Sequence, residues 1–110
     1  MGRYINATPG VASVIRTVST TYQALPNDRI MADCSGGAFT ITLPAAASTL
    51  IGDVVQIYDI TGNSVSNNIT VGRNSSNINS TAADLTINVA NAVATLTYTN
   101  VTYGWVITNN

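Results

Sequence analysis

Two carboxylates bracket the most apolar run of this 110-residue chain, Asp53 just before Val54 and Asp59 just after Tyr58. A pair of acids is the minimal equipment for glycoside hydrolysis. Six positions apart on an extended backbone, the two share a face, but at ~3.4 Å per residue they stand about 20 Å apart, well beyond the separation such a pair uses. Asp59, Thr61 and Asn63 alternate oxygen-bearing side chains in the manner of a calcium loop. A full loop requires more acidic ligands and a distal bidentate carboxylate, and the chain has no Glu; a turn capped by its own side chains accounts for these residues more simply. Trp105 with Tyr103 and Tyr98 is the candidate for stacking on a sugar ring, a possible glycan contact, although a Trp in the last strand of a small β domain more often fills the core or a subunit seam. The single Cys34 has no partner for an internal disulfide and no His for nucleophilic or metal chemistry, and reads as a small buried apolar residue. Arg16, Arg29 and Arg73 lack a phosphate-cradling Gly pattern and read as surface or subunit-interface groups. With neither His nor Lys, no enzyme, cofactor or metal is expected.

The elements that hold these residues are short and pleated. Val54, Gln56, Tyr58 and Ile60 fall on one side of an extended backbone and Val55, Ile57 and Asp59 on the other. This strand is expected at the centre of its sheet, followed by a turn at Thr61 to Ser66 and a second strand over Ile69 to Val71. Upstream, Arg29 to Asp33 reads as a strand. After the Ser35-Gly36-Gly37 turn, Phe39, Ile41 and Leu43 oppose Thr40 and Thr42 in another, stopped by Pro44, and these two are expected to pair as a hairpin. Ala45 to Leu50 admits a helical turn and no more. Downstream, Leu85, Ile87 and Val89 alternate with Thr86 and Asn88. Ala94, Leu96 and Tyr98 then oppose Thr95, Thr97 and Thr99, and Tyr103 to Ile107 closes a final hairpin. Val54, Ile57, Tyr58, Leu96 and Trp105 are the expected core.

Composition supports this reading. Charged residues make up 8% of the chain against roughly 25% in ordinary soluble domains, and solubility falls to Thr, Ser and Asn, which disfavour helix interiors. The net charge of −1 offers no basic footprint for nucleic acid, and weak self-repulsion permits identical chains to associate. No apolar run approaches membrane-spanning length. Strand spacings are too uneven for a solenoid of fixed period or for the regular Thr ladders of an ice-binding face. The expectation is one all-β domain, a small β-sandwich or jelly-roll-like module over residues 21–110. Before it, residues 1–20 form an extended N-terminal arm broken at Pro9-Gly10. Arg3, Tyr4, Ile5, Val14 and Arg16 are the docking candidates on that arm.

Thr42 to Pro44, a small-residue loop, the Gly-led strand from Gly52 to Asn63, Asn67 to Val71 and the closing Trp105 to Ile107 together form a pattern over about Tyr22 to Thr108. The pattern resembles a β-rich module of bacteriophage tail fibres and other virion surface proteins. It departs from that family at Arg73 to Asn79, where such modules often carry a Gly-rich turn. The resemblance implies a homotrimer on the outside of a phage particle, made in the host cytoplasm and displayed on the virion, with its own copies and a major capsid or tail protein as partners. A short chain beginning with Met is expected to be a free-standing virion protein, non-enzymatic, serving as capsid decoration or fibre component. The alternative is a fibre tip or adhesin binding a host surface glycan through Tyr98, Tyr103 and Trp105.

Overall fold

The computed structural model describes residues 14–109. The fold is all-β, with nine strands in two sheets among the described residues: β1 (Val14–Val18), β2 (Tyr22–Gln23), β3 (Asp28–Ala32), β4 (Phe39–Thr42), β5 (Val54–Asp59), β6 (Ile69–Gly72), β7 (Leu85–Ile87), β8 (Val93–Asn100) and β9 (Gly104–Asn109). The alternation read from sequence is the alternation observed. Phe39 and Ile41 in β4, Ile69 and Val71 in β6, and Ala94, Leu96 and Tyr98 in β8 turn inward, while the Thr residues between them turn outward. Side chains from both sheets meet in one core, which also takes in Ala24, Cys34, Leu43 and Ile78.

The order of strands is not the one expected. One sheet runs β1-β3-β5-β8-β9 and the other β2-β4-β6-β7. β1, β3 and β5 are parallel neighbours in the first, and β2, β4 and β6 in the second. The chain therefore crosses from one sheet to the other after each of its first five strands, and the parallel crossovers that would ordinarily use a helix are made by the strands of the opposite sheet. This corrects two expectations. β3 and β4 are not a hairpin, and β6 does not fold back on β5; each pair is divided between the sheets. The physical reason is facial. Ile30 and Ala32 must bury against something, and the connection through Ser35-Gly36-Gly37 carries Phe39 and Ile41 across the core to meet them rather than alongside. The winding has no fixed period: Val14 lies beside Asp28 but Arg29 beside Gln56, so one turn consumes about half the chain of the next.

Other expectations hold. β5 is the middle strand of its sheet, and β8 with β9 is an antiparallel hairpin with an irregularity between Tyr98 and Asn100. A short 3-10 turn occupies Ala46–Ser48. Of the expected core, Ile57, Leu96 and Trp105 are fully buried, whereas Val54 and Tyr58 lie half-buried on the outer face. Strand parity requires this, since Val54 and Ile57 cannot share a face. The arm expected through residue 20 is already sheet from Val14 onward, paired along its length with β3. The uneven spacing also hides one ladder: Thr40, Thr70 and Thr86 stand side by side on β4, β6 and β7. The next rank has Gly72 beside Thr42, so the ladder does not extend.

Candidate functional site

Asp59 ends β5 as a knot of backbone bonds. Its carboxylate accepts the N–H groups of Gly62 (3.1 Å), Ser64 (3.2 Å) and Asn91 (3.0 Å), and the Cys34 thiol lies 3.6 Å from the same group. Burial alone would raise its pKa, but the hydrogen bonds from Ser64 and Asn91 prevail and hold it below the ordinary carboxylate value. The Cys34 thiol is pushed up by burial and by the neighbouring Asp59 charge, so it is a structural thiol rather than a nucleophile. Asp53, at the other end of β5, accepts the Leu50 N–H at 2.8 Å. The two carboxylates thus serve different turns and do not converge, and the oxygens of Asp59 face backbone donors. Among the described residues no cluster of His, Cys, Asp or Glu is arranged to hold a metal ion.

The aromatic candidates are divided. Trp105 is fully buried at 0% exposure and Tyr98 at 4%, the two rings meeting edge-on with centroids 5.3 Å apart. Tyr103 is 54% exposed in the turn before β9. A stacking platform of the three is therefore not formed; two of its members are core, because inward parity on β8 fixes Tyr98 and its cross-strand partner on β9 is Trp105. The arginines are also occupied. Arg29 donates to the Tyr58 hydroxyl at 2.8 Å and lies over its ring, Arg73 donates to the Ser76 carbonyl, and Arg16 Nε lies 3.6 Å from the buried Asp28 carboxylate. Of the docking candidates, Val14 and Arg16 sit on the edge strand β1. Arg3, Tyr4 and Ile5 lie outside the described residues.

What the sequence reading missed is an apolar end. Leu50, Ile51 and Val101 are 75%, 78% and 79% exposed, more than any other large apolar side chains among the described residues. Both turns that carry them are built by polar caps. Asp53 accepts the Leu50 N–H while its own N–H bonds the Leu50 carbonyl, and Asn100 Oδ1 accepts the N–H groups of Thr102 and Tyr103. With the backbone satisfied in this way, the apolar side chains at the tips have no core to enter. The Gly52 N–H bonds the Tyr98 carbonyl at 2.8 Å and the Tyr98 N–H bonds the Asp53 carbonyl at 2.9 Å, which sets the two turns side by side. Between them is a hollow of about 480 Å³ lined by Ala46, Thr49, Leu50, Ile51, Asn100 and Val101, with Tyr98 at its base.

The same end receives the start of the described chain. The Val14 N–H bonds the Asn27 carbonyl at 3.1 Å, and Asn27 Oδ1 accepts the Val54 N–H at 3.2 Å. Half-exposed Leu25, in the turn before β3, is there too. What such an end can do chemically is dock: contiguous exposed apolar side chains rimmed by polar groups mark contact surfaces, and each one buried contributes about 1.5–3 kcal/mol. Searches for similar proteins add nothing to this geometry, since no protein-family model matches the chain and no curated protein does.

Proposed function

We propose that the chain is a non-enzymatic structural protein of a bacteriophage virion, a trimeric capsid decoration or fibre component whose two sheets form a sandwich-like module and whose N-terminal segment attaches it to the particle. The observation that carries this reading is the apolar end formed by Leu50, Ile51 and Val101 at the place where the chain enters β1. A surface with so few charges and an exposed apolar cluster favours association with its own copies and with a larger shell, and threefold repetition multiplies weak attachments by raising the local concentration of each arm. The location on the particle and the family rest on the resemblance of Thr42 to Pro44, Gly52 to Asn63, Asn67 to Val71 and Trp105 to Ile107. The glycan-binding alternative gains no support from Trp105 and Tyr98, which are buried.

Two measurements test the reading. Light scattering on the purified protein is expected to give three times the 11.4 kDa chain mass. Electron microscopy of intact particles with this protein labelled is expected to show the label on the outer surface of capsid or tail. A stable monomer at micromolar concentration, or unlabelled particles, would overturn it.

A further inference from the structure

We propose that the chain attaches through β1, whose free edge receives an extended segment of the particle's shell protein as a further strand of the five-stranded sheet, with an acidic side chain opposite Arg16. This rests on the attachment reading and names the contact that would make it. The edge is open at particular groups. The Val14 N–H bonds the Asn27 carbonyl at 3.1 Å and the Asp33 N–H bonds the Val18 carbonyl at 2.8 Å, so Val14, Arg16 and Val18 turn their backbone groups toward β3. By the alternation of a strand, Ile15 and Thr17 turn theirs the other way, where no strand lies among the described residues. Unpaired N–H and C=O groups in such a row are a template for another strand.

The other edges are covered or short. On β9 the Trp105 N–H and carbonyl are bonded to Asn77 and Asn79, and the Ile107 N–H to Asn79 Oδ1; β2 and β7 have only two and three residues. β1 has five, without Pro or Lys, and its Val14 and Ile15 are 43% and 66% exposed. Arg16 selects the occupant. Its side chain, 42% exposed, shares a face with Val14 and Val18, and its Nε stands 3.6 Å from the buried Asp28 carboxylate, beyond hydrogen-bond length. Any register that pairs the whole of β1 with a second β1 sets Arg16 opposite Arg16, and like charges directly opposite destabilise a strand pair. That disfavours a copy of the chain and selects a strand of another protein. An acid facing Arg16 adds a charge-assisted hydrogen bond, while β-branched side chains cover Val14 and Ile15.

The test adds labelled full-length chain to purified particles that lack it and reads co-sedimentation. Thr17→Pro removes an outward N–H and sets a ring on the free edge, while the bonds to β3 come from the neighbouring residues and remain. It is expected to keep the parent's thermal midpoint and to bind particles at least tenfold more weakly. Arg16→Gln is expected to bind more weakly and with less dependence on salt; unchanged binding overturns the acidic occupant. Thr17→Pro binding as the parent does overturns strand addition and leaves the attachment reading standing, whereas a parent that does not bind particles removes both. A lower oligomeric mass for Thr17→Pro than for the parent assigns the edge to a second copy and overturns the proposal. Hydrogen exchange gives a measurement free of substitutions: in the free protein the Ile15 and Thr17 amides should exchange fast and those of Arg16 and Val18 slowly, with Ile15 and Thr17 protected on the particle. Protection of Ile15 and Thr17 in the free protein overturns the proposal.

Discussion

Asp59 shows how one side chain can look like a site and be a joint. Its three backbone donors come from two separate connections, the turn after β5 and the loop before β8, so the carboxylate ties together segments far apart in sequence. Asp59→Ala leaves those donors buried without a partner and is expected to cost about 3 kcal/mol in urea unfolding. Because the folded carboxyl is held below the ordinary value of 3.8, its contribution is complete above that value and is lost as pH falls through the lower folded one. The unsubstituted protein should therefore lose stability on acidification below about pH 4, and Asp59→Asn should flatten that part of the pH profile. Trp105 gives the second residue-scale prediction. As the only Trp and a fully buried one, it should emit at short wavelength, resist iodide quenching and be unaffected by added glycans. Trp105→Ala should cost about 3–5 kcal/mol.

The element that depends most on a single residue is the β8–β9 hairpin. Gly104 opens β9 with φ of 72°, and a Cβ there would fall on the Asn77 carbonyl. That carbonyl accepts the Trp105 N–H at 2.9 Å, and the Asn79 N–H returns to the Trp105 carbonyl at 2.7 Å. The loop from Asn77 to Ser80 thus lies across the start of β9, and only a residue without a side chain lets it approach. Gly104→Ala combines a left-handed backbone with this clash and is expected to destabilise by roughly 3 kcal/mol or more. Gly36→Ala meets nothing within 4 Å and should leave the unfolding free energy measured in urea within about 0.5 kcal/mol of the parent. If the two behaved alike, the close approach of the Asn77 loop would be wrong. The Arg73 to Asn79 segment, where the sequence departs from the virion-module pattern, is the very stretch that supplies this contact.

For the whole molecule, the decisive feature is that the three most exposed large apolar side chains among the described residues lie together. Leu50, Ile51 and Val101 share one end because β5 and β8 are antiparallel, which places the turn before one beside the turn after the other. Ile51→Asp and Val101→Asp should each weaken self-association roughly 10- to 100-fold, the equivalent of about 1.5–3 kcal/mol of lost burial. Neither should lower the thermal stability of the dilute, dissociated protein by more than about 0.5 kcal/mol, because both sites are at exposed turn tips. Because the residues lining the hollow are uncharged, raising the ionic strength should leave the proposed association nearly unchanged. Sedimentation velocity across a dilution series, at low and high salt, measures all three outcomes.

Much of this protein was determined by local sequence. The inward sets Phe39 with Ile41 and Ala94 with Leu96, the outward Thr residues, the closing hairpin and the capped turn at Asp59 follow from two-residue periodicity and turn chemistry, which act over a few positions. Which sheet each strand joins was decided by tertiary structure alone. A strand's alternation states that one face is buried and says nothing of whether its successor lies beside it or across the core, so β3 with β4 had the same appearance as a hairpin. The apolar end was equally hidden. Leu50, Ile51 and Val101 look in sequence like core residues, and only the placement of their turns side by side, with the backbone already capped by Asp53 and Asn100, turns them outward into one surface.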